Sequence, residues 1–197
     1  MTAREPVWGL VLAGGKSRRM GSDKALLRQN GQTQLSRTVA LLEAQLERVF
    51  VSTTAAQADD AERSQFDQVV DRYDDMGPVA GILSAMDSNA EVSWLVLACD
   101  LPNVDEATIA YLLENLSPDH PATAYRSTHD DLPEPLCAIY RPEAREVIDG
   151  FVEQGMNCPR KILIKSNTHL LEQPNPAALH NINTPEDLAG TGITLAS

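Results

Sequence analysis

Cysteine is scarce in this chain: Cys99, Cys137 and Cys158 are odd in number and far apart. No Cys-x-x-Cys pair and no His/Cys spacing suits a zinc site, and three scattered thiols make no disulfide framework. They read as reduced thiols in a cytoplasmic protein, two of them in core strands. Long apolar runs are missing as well. Arg4 and Glu5 precede only six strongly apolar positions, too short a run for a secretory signal or a membrane span, so a cytoplasmic location is expected. Positive charge is in deficit, with 16 Lys and Arg against 28 Asp and Glu and a net charge of −12. That balance excludes duplex nucleic acid and anionic membranes as natural partners. The four histidines are scattered with no i, i+4 pair, and neither Ser17 nor Ser36 has a nearby His to activate it, so covalent catalysis is not indicated. Repeats, long linkers and low-complexity blocks are absent, and residues 1–197 are expected to form one domain.

The chain is 43% apolar with Gly and Pro spread along its length, an ordinary globular composition large enough to bury a sound core. Its scarce cations are concentrated. Lys16, Arg18, Arg19, Lys24 and Arg28 fall within one short stretch, against the single acid Asp23. The stretch follows an apolar run, Val7 to Leu12, with the length and residue types of a buried strand. Between the two lies Gly14-Gly15, where the backbone can turn sharply and approach a ligand closely. Strand, glycine turn and cationic loop together form a device for holding phosphates: amides cradle the oxygens and side chains balance the charge. Two familiar phosphate motifs fail the count. A P-loop needs glycine where Leu10 stands, with Gly9 one residue out of register. The Rossmann Gly-x-Gly-x-x-Gly spacing fails too, since Gly14-Gly15 is followed next by Gly21.

Along the rest of the chain, strand-like and helix-like segments alternate, which predicts an α/β fold. Leu35, Val39, Leu42, Leu46 and Val49 recur at helical spacing, predicting an amphipathic helix over 35–49. The acidic, alanine-rich run to Arg63 reads as a surface helix, and Val69-Val70 as a short strand ending near Asp71. Gly77-Pro78-Val79-Ala80-Gly81 is a punctuated turn leading into a helix through Met86. The clearest buried strand is Trp94 to Ala98, a continuous apolar run ending abruptly at Asp100. A helix over 105–116, strands at 122–126 and 136–140, a helix over 142–154, a short helix over 160–165 and a strand at 169–172 complete the pattern. The polar stretch 127–135 reads as a mobile flap, and Thr184-Pro185 as the start of a last helix.

Asp100 is the sharpest single candidate. Ligands gather at the carboxyl ends of parallel strands, and a carboxylate there can hold Mg²⁺ beside a triphosphate. Asp71 also ends a strand. Arg160 and Lys161 are the other local basic pair; they suit an anionic acceptor, or else form a solvated helix face.

The run Leu12-Ala13-Gly14-Gly15-x-Ser17-x-Arg19-Met20-Gly21-x-Asp23-Lys24 resembles the signature loop of the MobA-like nucleotidyltransferases, most closely the molybdenum cofactor guanylyltransferases. Ala98-Cys99-Asp100-Leu101-Pro102 resembles their Cys-Asp-x-Pro metal motif, and Asp71 with Gly77-Pro78-x-Ala80-Gly81 their nucleoside-binding element. Asn181-x-Asn183-Thr184-Pro185-Glu186-Asp187 matches their C-terminal motif. The resemblance implies a three-layer α/β domain with a mostly parallel sheet, of the nucleotide-diphospho-sugar transferase kind. It implies transfer of GMP from GTP to the phosphate of molybdopterin, with release of pyrophosphate. Leu12, Ala13, Gly14, Gly15, Lys24, Ser52, Asp71, Gly77, Gly81 and Asp100 would bind the nucleotide. Arg19, Lys24 and Asp100 would carry the catalysis, Asp100 holding Mg²⁺. Asn181 and Asn183, with Arg160 and Lys161, would face the acceptor, and the product would pass by transient contact to molybdoenzymes or their chaperones. Related cytidylyltransferases have Leu-Ala-Ala-Gly in the loop, so Gly14 favours GTP. In one departure, guanylyltransferases often carry an asparagine after the second strand where this chain has Ser52. The rival expectations are a CTP-dependent cytidylyltransferase, an enzyme acting on another phosphorylated acceptor, and a nucleotide-binding delivery partner without catalysis.

Overall fold

The run Ser93–Ala98 is buried at all six positions, which a strand achieves only when both faces of its sheet are covered. It lies inside a seven-stranded sheet in the computed structural model, which describes residues 5–13, 23–181 and 193–194. In chain order the strands are β1 (Val7–Leu12), β2 (Arg28–Gln29), β3 (Gln32–Thr33), β4 (Val49–Thr53), β5 (Gln68–Val70), β6 (Ser93–Ala98), β7 (Ala122–Arg126), β8 (Pro133–Tyr140), β9 (Thr168–Leu171) and β10 (Ile193–Thr194). The helices are α1 (Gln34–Glu43), α2 (Pro78–Ser88), α3 (Glu106–Glu114), α4 (Ala144–Glu153) and α5 (Pro159–Lys165).

The large sheet has the order β5-β4-β1-β6-β8-β7-β9. Only β8 runs against its neighbours; every other pairing is parallel. Alternation along each strand divides the core into two layers. Leu95 and Leu97 of β6, with Cys137 and Ile139 of β8, face Leu35, Val39, Leu42, Ile109 and Leu112 of α1 and α3. Trp94 and Val96, with Ala138 and Tyr140, face Val79, Ile82 and Leu83 of α2, Ile148 of α4 and Ile162 of α5. The expected three-layer, mostly parallel α/β architecture is what forms. No helix among the described residues is long and apolar enough to cross a membrane.

Several local expectations are corrected. Helix α1 stops at Glu43, because Val49 pairs with Gly9 in the sheet; Leu46 still seals the core beyond the helix end. The run 55–65 makes two short 3₁₀ turns, Ala55–Gln57 and Arg63–Gln65, rather than a surface helix. Asp60 causes this: its Oδ1 accepts from the Glu62 and Arg63 amides, a local bond that competes with helix. The stretch 127–135 is part loop and part strand. Pro133–Pro135 open β8, and 127–132 close a loop through Ser127 N–H donating to Leu132 O at 2.8 Å and Asp131 N–H to Ser127 O at 2.9 Å. Helix α4 begins at Ala144, after a turn at Arg141–Pro142.

A second, three-stranded antiparallel sheet, β10-β2-β3, was not expected. Its hairpin turns at Asn30 (φ 53°) and Gly31 (φ 84°), the pair of positive φ angles that Asn-Gly favours between short strands. The final helix expected at Thr184-Pro185 lies outside the described residues.

Candidate functional site

Register brings the candidate residues to one edge. Leu12 of β1 pairs with Ser52 of β4 on one side and Ala98 of β6 on the other, and Ser52 pairs with Val69 of β5. The carboxyl ends of four parallel strands are therefore level: Ala13 and Asp71 directly follow β1 and β5, Thr53 ends β4, and Asp100 stands two residues beyond β6. Because β8 runs the other way, its first residues reach the same edge: Arg126 pairs with Pro133 and Tyr125 with Glu134.

Lys24 opens a 3₁₀ turn, Lys24–Leu26, which Asp23 caps by accepting from the Ala25 amide at 3.0 Å. That turn brings the Lys24 ammonium 3.3 Å from Oδ2 of Asp100, both side chains about a fifth exposed. Oδ1 of Asp100 is buried and has no hydrogen-bond partner among the described residues. An unpartnered anionic oxygen is costly unless something binds it, and a hard divalent cation suits a carboxylate oxygen. No group of three or more His, Cys, Asp or Glu among the described residues could hold a metal alone. Asp100 thus offers one ligand, and the rest of a Mg²⁺ shell would come from substrate oxygens and water, the usual habit of that ion.

On the other side, Ser52 Oγ donates to Asp71 Oδ1 at 2.8 Å, and the Asp71 amide donates to Thr53 O at 2.8 Å. Burial pushes the Asp71 carboxyl above the ordinary carboxylate value, partly offset by the Ser52 bond. Gly77, at φ 56°, holds a backbone conformation that a side chain would strain, and Pro78 then starts α2. Gly81 faces the sheet so closely that a Cβ there would stand 2.4 Å from Ser52 Oγ and 2.9 Å from Leu12 Cδ2. Leu12, Ser52, Asp71 and Gly81 therefore form one contiguous wall beside β1, with Gly77 at its far end.

The basic pair separates. Arg160 bonds Glu134 Oε2 and Asp130 Oδ2, each at 3.0 Å, while Lys161 is exposed. Glu134 is 5% exposed, and burial raises its carboxyl above the ordinary value against the lowering pull of Arg160. Arg160 thus arrives already paired with two carboxylates, which leaves it less cationic toward an acceptor than its sequence context suggests. Asn181 is exposed. Gly14, Gly15, Arg19 and Asn183 lie outside the described residues.

Two residues at this edge escaped the sequence reading. Glu134 sits in a proline-flanked stretch that gave no signal beyond polarity. Arg63 lies in an acidic run yet is 1% exposed, with Nη2 donating to Ala13 O at 2.7 Å and to Asp23 Oδ2 at 2.5 Å. A lone cation among acids was the only available cue.

Known proteins resemble this chain in sequence and in fold. A family model described as the MobA-like NTP transferase domain matches residues 9–170. A molybdenum cofactor biosynthesis bifunctional protein of Synechocystis is 37% identical over 185 residues, covering 94% of this chain and 53% of that protein. The chain therefore spans about half the length of that relative. A probable molybdenum cofactor guanylyltransferase of Trichormus variabilis is 32% identical over 182 residues, covering 91% of this chain and 87% of that protein. The crystal structure of molybdopterin-guanine dinucleotide biosynthesis protein A from Archaeoglobus fulgidus has the same fold, with a TM-score of 0.76 at 23% identity, covering 91% of this chain and 94% of that one. With the family pattern running through most of its length and its strand ends assembled into one edge, this chain belongs to the MobA-like NTP transferase family.

Proposed function

We propose that this chain transfers GMP from GTP to the terminal phosphate of molybdopterin, the pterin of the molybdenum cofactor, and releases pyrophosphate. The observation that carries the reading is the Lys24–Asp100 pair at the strand edge, one carboxylate oxygen held by the ammonium and the other unpartnered among the described residues. Residues 1–197 would act as one domain in the cytoplasm, in keeping with three free cysteines.

In the proposed reaction an acceptor phosphate oxygen attacks the α-phosphorus of GTP in line. The new P–O bond forms as the bond to the β-phosphate bridging oxygen breaks, and the electron pair leaves with pyrophosphate. The attacking phosphate is already ionised near neutral pH, so no general base is needed. The protein's task is positioning and charge neutralisation. Lys24 and Arg19 balance charge that accumulates on the leaving pyrophosphate, and the amides of Ala13, Gly14 and Gly15 cradle the phosphates. Asp100 would hold Mg²⁺, which when bound would neutralise triphosphate charge. Leu12, Ser52, Asp71, Gly77 and Gly81 receive the nucleoside, Ser52 chiefly by orienting Asp71. Asn181, Asn183, Arg160 and Lys161 form the acceptor side, Arg160 as part of its network with Glu134 and Asp130. The product then passes to molybdoenzymes or their chaperones.

Gly14 supports GTP over CTP. The test is pyrophosphate release from each of the four ribonucleoside triphosphates with Mg²⁺, with and without molybdopterin. Release from GTP alone, dependent on the acceptor, is expected. Preference for CTP would keep the chemistry and overturn the nucleotide assignment.

A further inference from the structure

We propose that Arg63 is a positioning residue for the triphosphate: its buried guanidinium ties Ala13, at the end of β1, to Asp23, beside Lys24, and so sets the spacing of the two described elements that would meet phosphate. This rests on the reading of the loop as the triphosphate site.

The geometry is specific. Ala13 and Asp23 are the residues that flank positions 14–22 in the chain, and a single nitrogen, Nη2, bonds both, at 2.7 and 2.5 Å. The other terminal nitrogen, Nη1, lies 3.3 Å from Oδ1 of Asp60. Asp23 divides its two oxygens. Oδ2 takes Arg63, while Oδ1 accepts from the Ala25 amide and so caps the turn that carries Lys24 to Asp100. One guanidinium thus fixes where the chain leaves β1 and where it delivers Lys24.

Arg63 is itself held rigidly. Asp60 Oδ1 accepts from its amide at 3.2 Å, and Gln68 Nε2 donates to its carbonyl at 3.1 Å. Packing supplies no reason for a cation here, since a buried charge is costly to desolvate and an apolar side chain of similar volume commonly serves stability as well. What distinguishes arginine is the planar fork, which serves several acceptors at once in fixed directions, whereas lysine presents a single strongly hydrated point charge.

The test compares wild type with R63Q, R63K and D23N, each checked for folding by circular dichroism and thermal melting. Dissociation constants are measured calorimetrically for GTP and for guanosine, the latter lacking the groups the loop would hold. Losing hydrogen bonds made by a charged group shifts an equilibrium by roughly ten- to 100-fold. R63Q is therefore expected to weaken GTP binding by roughly ten- to 100-fold with guanosine affinity unchanged. R63K, which keeps the charge without the fork, should recover little of the loss. D23N retains a cap for Ala25 and weakens only the Arg63 bond, so it tests the same link if R63Q fails to fold; it should also weaken GTP selectively. Equal weakening of GTP and guanosine, or GTP binding within twofold of wild type in R63Q, would overturn the proposal, as would full recovery in R63K. A wild-type protein that binds no GTP would overturn the nucleotide reading itself, visibly before any variant is compared, and the role of Arg63 would fall with it.

Discussion

Replacing Gly81 with alanine sets two effects of opposite sign against each other. Gly81 lies inside α2, where alanine is ordinarily better than glycine by about 1 kcal/mol. The added Cβ, however, would stand 2.4 Å from Ser52 Oγ, 2.9 Å from Leu12 Cδ2 and 3.2 Å from Ser52 Cβ. Ser52 is 2% exposed and its hydroxyl is committed to Asp71, so it cannot rotate away without breaking that bond. Overpacking costs about 1–3 kcal/mol, and a hydrogen bond to a charged group contributes about 1.5–3 kcal/mol. After the helix gain, a net loss of about 2 kcal/mol is expected, or roughly 4–8 °C in Tm for a chain of this size. Shortening Ser52 to glycine in the same chain removes two of the three clashing atoms, so G81A should cost less in an S52G background than alone. Differential scanning calorimetry on the four proteins of this cycle gives the answer, with GTP affinity as a second readout. A G81A protein that melts at or above the wild-type temperature with unchanged GTP affinity would refute the close-packing argument.

Other outcomes follow from the same geometry. Asp100→Asn keeps the shape of the side chain but removes the charge, and should lower kcat by about 10²–10³ while the fold persists, checked by initial rates and circular dichroism. Burial holds the folded Asp71 carboxyl above its ordinary value of 3.8, so the native state binds this proton more readily than the unfolded chain does. Its ionised form therefore opposes folding above the raised value, and that penalty is relieved as pH falls through the window down to 3.8. Asp71→Asn should flatten that part of a urea-midpoint-against-pH curve; a variant curve parallel to wild type would contradict the assignment. Burial and the neighbouring Asp100 charge push the Cys99 thiol up to about 12, and burial raises Cys137 in the same direction. At pH 8 only Cys158, which is partly exposed, should react with a disulfide reagent in the native protein, and all three thiols after unfolding.

Much of the fold was readable because its signals are local. The strands at Val7–Leu12 and Ala122–Arg126 form over the expected residues, since short apolar or β-branched runs bounded by breakers leave few alternatives. Helix α1 was overextended because Leu46 continues the apolar stripe after the helix has ended, and burial alone cannot tell a helical residue from the turn that follows it. The hairpin at Asn30-Gly31 carried a readable signature that the short strands around it obscured. The site divides in the same way. Asp100, Lys24, Asp71 and Gly81 stand in punctuated motifs, but the bonds that organise them span long separations. Arg63 reaches back 50 residues to Ala13, and Ser52 forward 19 to Asp71. Nothing in an acidic, alanine-rich run announces that its one arginine is buried. The pairing of Arg160 with Glu134 and Asp130 depends on β8 reversing direction, which no periodicity in the sequence reveals.

The central claim is transfer of GMP to a phosphorylated acceptor, and the most direct measurement follows the α-phosphate. GTP labelled at the α-phosphorus is incubated with Mg²⁺, molybdopterin and the protein, and products are separated and weighed by mass spectrometry. The account predicts that label enters a molybdopterin guanine dinucleotide in a one-to-one ratio with released pyrophosphate, and that Asp100→Asn slows both by the same factor. Label recovered only as GTP, or as GDP with free phosphate while the acceptor stays unmodified, would contradict it.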